Sequence, residues 1–177
     1  MSITQVQRSF IADRTSLMTD MWRLTTNLTT SDQEPINANL ERVDDHGGLT
    51  GAATAGLTNP GMTQSSGIFT FPSTGKYYIR FQINCFSTNT PRYIGAFIQL
   101  TTDNSSYTTI STAYINLDDA DTSSSSWTAT SLDGYVDITN TTTHKVSFFV
   151  NAAANVTFYG SDSRNYNYME FVRVGDT

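Results

Sequence analysis

The sequence predicts an all-β protein built as an antiparallel β-sandwich, and three observations lead to this fold class. Ser, Thr and Asn (19, 29 and 13) supply about a third of the 177 residues, a composition typical of strands joined by tight turns. Seven apolar stretches after residue 66 are separated by turn-rich pieces such as PSTG and TDNSS. Helix formers are scarce after residue 45, which argues against a parallel sheet with crossover helices.

The length indicates one domain with a short N-terminal extension. We expect residues 1–20 to form an arm or short amphipathic helix and residues 21–177 to form the sandwich. A first strand is predicted over 21–26 and a long Gly-rich surface loop over 44–66. The seven later strands are predicted at 67–71, 76–87, 93–102, 107–117, 127–139, 144–158 and 166–174.

Two strands can be divided into faces, because successive side chains of a strand point to opposite sides of its sheet. One face of the second strand is apolar and predicts a core face; its members are Tyr77, Ile79, Phe81, Ile83 and Cys85. In the next strand the apolar face consists of Ile94, Ala96, Ile98 and Leu100. Cys85 is therefore interpreted as a small core hydrophobe.

The opposite faces of these strands carry large aromatic residues among polar ones. A lone sandwich would leave such rings in water, and exposed aromatic patches of this size usually mark contact surfaces. We therefore predict a self-association interface made by Tyr78, Arg80, Phe86, Tyr93 and Phe97. Scattered exposed rings on a monomer are the alternative.

Charge and composition exclude several classes of function. The net charge of −6 with ten Lys and Arg gives no basic patch for nucleic acid. No apolar run is long enough to cross a membrane, and the N-terminus lacks a secretory signal. A single cysteine rules out an internal disulfide. No cofactor or catalytic motif is present, so we expect a protein that is not an enzyme.

Two groups of residues are candidate sites of other kinds, whereas the two histidines are not. Asp118, Asp119 and Asp121 cluster in one turn, as a weak calcium site or as a solvated acidic turn. His46 and His144 have no partner at zinc-ligand spacing. Trp127 and Tyr166 lie near strand ends, where they either stack on a glycan or pack in the fold.

The N-terminal segment has apolar residues near helical spacing, including Val6, Phe10 and Leu17. Such a segment is either a partly ordered terminus or an arm that docks on another protein. In the second interpretation these three residues contact that other protein.

The stretch GIFTFPSTGKYYIRF, residues 67–81, resembles the C1q and tumour-necrosis-factor superfamily of jelly rolls. Phe69, Gly75, Tyr77 and Phe81 fall on that family's aromatic and glycine positions, whereas Met62 stands where an aromatic residue or Leu is expected. The ending YGSDSRNYNYMEFVRV is similar to the close of the same fold. The resemblance implies a jelly-roll sandwich that assembles as a homotrimer, with one sheet of each subunit turned toward the threefold axis.

The same stretch, with the opening WRL and the closing VRVGDT, resembles virion proteins of tailed phages. This likeness implies a capsid decoration protein or fibre head that is assembled in the host cytoplasm, carried on the virion and bound to the major capsid protein or another virion protein. A fibre head that binds a host receptor or glycan is the alternative.

Overall fold

The computed structural model describes residues 18–43, 61–88, 91–117 and 125–177. These residues form eleven strands and no helix. The strands are β1 (Thr19–Leu24), β2 (Leu28–Gln33), β3 (Leu40–Arg42), β4 (Thr63–Ser65), β5 (Ile68–Thr70), β6 (Gly75–Ser87), β7 (Ile94–Thr101), β8 (Tyr107–Ile115), β9 (Ser126–Ile138), β10 (Lys145–Phe158) and β11 (Tyr168–Gly175).

The strands pair antiparallel in one curled sheet that folds into two layers. Layer one has the order β3-β1-β11-β6-β9. In layer two, β10 is central, with β7 and then β8 on one edge and with β2 and β5 on the other; β4 lies beyond β5. The layers join where Thr157 and Phe158 of β10 pair with Phe86 and Cys85 of β6.

The core lies between the layers and is built from the faces that the sequence predicts. The five alternate residues of β6 from Tyr77 to Cys85 are fully buried, as are Ile94, Ala96 and Ile98 of β7. The Tyr77 hydroxyl donates to the Ser73 carbonyl at 2.8 Å, so its burial costs no hydrogen bond. Burial raises the pKa of the Cys85 thiol to about 12, which keeps it neutral and confirms its assignment to the core.

Phe69 of β5 lies where the core's aromatic rings meet. Its ring centroid is 5.2 Å from that of Phe171 and 5.6 Å from those of Phe148 and Trp22. These residues come from both layers, so the Phe69 ring packs against side chains of both. Met62 is buried in the same core and fills the position where the resemblance expects an aromatic residue.

The seven strands predicted after residue 66 correspond to β5 through β11, but the structure adds three short ones. β2 and β3 were not predicted, and β4 lies inside the segment predicted as a loop. Their residues, such as TQS in β4, have no apolar alternation, because these short strands contribute few side chains to the core. β1 runs from Thr19 to Leu24, two residues earlier than the strand predicted over 21–26.

Gly75 opens β6 in a conformation that favours glycine. Its φ is +142°, and a Cβ there would lie 2.6 Å from both Arg173 Nε and the Gly175 carbonyl oxygen. The space is taken because the Arg173 guanidinium donates from Nε and from Nη2 to the Thr74 carbonyl, at 3.1 and 3.0 Å. The turn into β6 is thereby fixed to the end of β11.

We predict that Gly75→Ala lowers the free energy of unfolding by about 1–3 kcal/mol, because the new Cβ meets backbone and the φ is strained. Gly175→Ala is the matched control, since nothing lies within 4 Å of its Cβ position, and it should change stability by less than about 0.5 kcal/mol. Urea denaturation of both variants measures the difference. Equal costs for the two substitutions would contradict the account of this turn.

Asp20 is a buried carboxylate that ties β1 to β3 and to the start of β4. Its oxygens accept hydrogen bonds from Arg42 Nε at 3.0 Å, Trp22 Nε1 at 3.2 Å and the Met62 amide at 2.7 Å. Burial raises the pKa of Asp20, and the Arg42 charge and these hydrogen bonds offset only part of that effect. Burial therefore disfavours the ionised form of this carboxyl group.

A raised pKa means that folding favours the protonated form, so this group adds stability as the pH falls from 7 through the raised pKa. The gain is complete below the ordinary value of 3.8. We predict that Asp20→Asn costs about 1–3 kcal/mol at pH 7 through lost hydrogen bonds. The stability difference between wild type and variant should widen as the pH is lowered to 3.5 in a urea denaturation series. If the stability difference instead narrows, the charge of Arg42 outweighs the effect of burial and the pKa of Asp20 is lowered.

Candidate interaction surface

The five residues of the predicted interface lie on two surfaces of the subunit. Tyr78, Arg80 and Phe86 alternate along the outer face of β6 in layer one. Tyr93 and Phe97 belong to the outer side of layer two, which points the opposite way. Sequence alternation assigned each residue to an outer face correctly but did not reveal that the two strands are in different layers.

Phe97 needs no second subunit to cover it, because its own chain does so. Its ring stacks face to face on Phe149 of the neighbouring strand, with centroids 3.9 Å apart and planes at 4°. Tyr114 approaches it edge-on at 5.6 Å. The ring also covers Gly95, where a Cβ would lie 2.7 Å from a Phe97 ring atom. Phe97 is therefore 7% exposed, whereas Tyr93 and Tyr114 remain exposed beside it.

The outer face of layer one carries a tyrosine pair at the end where β6 begins. Tyr78 of β6 and Tyr135 of β9 are register partners with ring centroids 5.2 Å apart. Tyr135 is 73% exposed. An open cleft of about 270 Å³ adjoins it, lined also by Lys76, Asp137 and Val174. Aromatic and aliphatic surface is thus exposed together at this end.

A charged band crosses the same face next to the tyrosine pair. Arg80 lies between Asp133 of β9 and Glu170 of β11 in the strand register. Its guanidinium donates to Gln82 Oε1 at 3.4 Å and lies 5.9 Å from the Tyr168 ring centroid. Desolvation, followed by the charge of Asp133, raises the pKa of Tyr78. Charges of both signs therefore alternate across the sheet.

A second aromatic cluster lies at the opposite end of the face, where β6 ends. We call it the aromatic quartet; its members are Phe86, Trp127, Tyr159 and Tyr166. The Phe86 and Trp127 rings stack at 4.5 Å, and Tyr159 lies 5.3 Å from Trp127 and 4.7 Å from Tyr166. Trp127 is nevertheless 57% exposed. The predicted glycan contacts Trp127 and Tyr166 thus belong to one cluster.

Asn167 fixes the loop that supplies half of the quartet. Its amide nitrogen donates to the carbonyls of Asn84 at 2.8 Å and Tyr159 at 2.7 Å, and its side-chain oxygen accepts from the Asn84 amide at 2.9 Å. The side chain is buried, so these bonds are shielded from water. At the other end of the loop the Gly160 amide donates to Asn27 Oδ1 at 3.0 Å. Residues 159–167 are therefore held against β6.

The chain matches no family model, and no curated protein matches it. Among solved structures it is similar to Eiger TNF from S. frugiperda, at 12% identity and a TM-score of 0.63, over 91% of this chain and 94% of that one. It is also similar to murine APRIL at pH 5.0 and at pH 8.5, at 10% and 12% identity and TM-scores of 0.55 and 0.54; each match covers 90% of this chain and 100% of that one. The chain has a TNF-like jelly-roll fold. This confirms the fold that the sequence resemblance predicts.

Several residues that the sequence predicts as sites lie outside the part of the chain that the structure describes. Val6, Phe10 and Leu17 of the arm, the acidic residues Asp118, Asp119 and Asp121, and His46 all fall there. His144 is described, and its ring lies within hydrogen-bonding distance of the Thr139 and Thr143 hydroxyls. Among described residues, no group of three or more His, Cys, Asp and Glu is placed to hold a metal.

No helix long and apolar enough to cross a membrane occurs in the described residues. Sequence reasoning missed Tyr135 and Tyr114, the most exposed rings of the two outer faces. Tyr135 shares its strand parity with Trp127 on β9, and that parity was the signal available. Asn167 carried no such signal, since its role depends on where the loop meets β6.

Proposed function

We propose that this jelly roll is a homotrimeric structural protein of a tailed-phage particle, which decorates the capsid or forms the head of a fibre. The observation that carries the proposal is the outer face of layer one, where Tyr135 and Val174 lie exposed and Tyr78 is half-buried beside Tyr135. A protein with no partner leaves this apolar surface in water. Assembly with copies of itself removes the surface from water.

The arrangement of charges on this face supports a second copy of the chain as the occupant. Asp133, Arg80 and Glu170 alternate in sign across three neighbouring strands. A surface that carries both signs can pair with charges of a rotated copy, whereas a single-sign surface repels its own copies. In the proposed trimer the tyrosine pair forms the apolar centre and the charged band sets the register.

The particle role is supported by the fold, by the sequence likeness to virion proteins and by the N-terminal segment. β1 begins at Thr19, and the segment before it carries the apolar residues Val6, Phe10 and Leu17. We propose that this segment binds the major capsid protein or another virion protein. Copies bound where capsid subunits meet stabilise the shell, because they bind only the assembled form.

We predict that the protein sediments at three times 19.5 kDa at micromolar concentration, and that Tyr135→Ser weakens this association by about tenfold or more. Tyr114→Ser is the matched control, because Tyr114 is 62% exposed on the outer face of the opposite layer. Sedimentation equilibrium measures both. A wild-type monomer at micromolar concentration, or equal effects of the two substitutions, would contradict the proposed interface.

The N-terminal segment makes a separate prediction. A chain of residues 18–177 retains Met18, which is buried, and all of β1. It should therefore remain folded and trimeric while its binding to particles that lack the protein falls to background. Cosedimentation of wild-type and truncated protein with such particles measures the loss. Undiminished binding of the truncated chain would show that the jelly roll itself contacts the particle.

A further inference from the structure

We propose that the aromatic quartet is a binding platform for a neutral carbohydrate chain, a site additional to the self-association surface. The proposal starts from Trp127, which is 57% exposed although it is the largest side chain of the cluster. Phe86 stacks against it at 4.5 Å with planes at 30°, and Tyr159 packs beside it at 5.3 Å. The indole is therefore held by neighbouring rings while much of its surface remains open.

The platform is fixed before any ligand arrives. Asn167 bonds both Asn84 and Tyr159, the Gly160 amide is bound to Asn27, and a Cβ at Gly160 would meet the Thr26 backbone at 2.0 Å. The Tyr166 hydroxyl accepts a hydrogen bond from Arg164 at 3.1 Å, which holds the edge ring in place. Rings that are already ordered lose little conformational entropy when a ligand binds, and affinity is gained by that preorganisation.

The exposed aromatic surface of Trp127 matches the size of a sugar ring. With 57% of Trp127 exposed, the open indole offers on the order of 140 Å², taking about 250 Å² for the whole ring. That area is comparable with one face of a pyranose ring, whose C–H groups pack on aromatic faces.

The polar groups around the rings fit hydroxyl-bearing ligands. Asp162 and Ser163 are exposed in the loop, and Thr88 and Ser125 are exposed just beyond the ends of β6 and β9. Residues 159–167 contain one cation, Arg164, and its guanidinium already donates to Tyr166. An anionic polymer would meet Asp162 and a net charge of −6, so charge favours a neutral sugar.

The test uses the full-length protein and a panel of neutral hexasaccharides of glucose, galactose, mannose and xylose, with a hexamer of galacturonic acid as the anionic comparison. Protection of tryptophan fluorescence from acrylamide quenching reports occupancy. At least one neutral hexasaccharide should protect the wild type, and the anionic hexamer should not. If no neutral hexasaccharide protects it at millimolar concentration, or if the anionic hexamer binds best, the proposal is overturned.

Two substitutions at the site and one control then assign the binding, with affinity measured by calorimetry so that loss of the indole does not remove the signal. Trp127→Ala should weaken binding at least about tenfold, and Trp127→Phe should retain most of it because a flat ring remains. Tyr114→Ala on the opposite layer should leave it unchanged. Sugar affinity unaffected by Trp127→Ala would overturn the site.

Sedimentation separates this proposal from the trimer. The site does not require self-association, so Trp127→Ala should lose sugar binding and keep the wild-type mass, whereas Tyr135→Ser should do the reverse. If Trp127→Ala instead dissociates the protein, the indole belongs to a subunit interface and the carbohydrate proposal is wrong. A monomeric wild type that still binds the sugar through Trp127 would overturn the trimer alone.

Discussion

The antiparallel pairing of β6 on both of its edges is the constraint on which the rest of the structure depends. β9 pairs with it along all thirteen residues, and β11 pairs with it from Lys76 to Gln82. A strand held on both edges cannot shift its register without moving its whole buried set to the other face. Tyr77 through Cys85 are thereby committed to the core at alternate positions, and Tyr78 through Phe86 are committed to the outer face. The composition of the outer face is a consequence of the same pairing that builds the core.

Buried polar side chains hold the connecting segments in place where the strands end. Arg173 holds the turn before β6, Asp20 joins β1 to β3 and to Met62, and Asn167 holds the last loop against β6. Each hydrogen-bonds a backbone group that lies outside the strands, at Thr74, Met62 and Tyr159 respectively, and such groups are costly to bury unpaired. The apolar core sets how the layers pack, and these polar contacts determine how the chain passes between strands.

The sequence could predict much of the fold because its main strands are long and alternate regularly. β6 and β7 could be divided into faces, and the apolar face of each could be assigned to the core. It could not predict β2 or β4, because three to six polar residues at a sheet edge carry no periodic signal. Nor could it separate Phe97 from Tyr78. Their outer faces look alike along the chain, and only the pairing of β7 with β10 rather than β6 puts them on opposite sides of the molecule.

The two aromatic clusters of layer one share a face but differ in what surrounds them. The tyrosine pair adjoins charges of both signs and the exposed aliphatic Val174, and its rings stand on continuous strands. The aromatic quartet combines two strand ends with a loop fixed by Asn167, and the polar residues beside it along the chain carry hydroxyl groups, one carboxylate and the Arg164 guanidinium. Protein interfaces gain energy from broad apolar area with matched charges, whereas a small ligand needs a few rings held rigidly beside polar groups. The same sheet face therefore offers a surface for a large partner at one end and for a small ligand at the other. Because β6 runs between them, its length keeps the two sites apart.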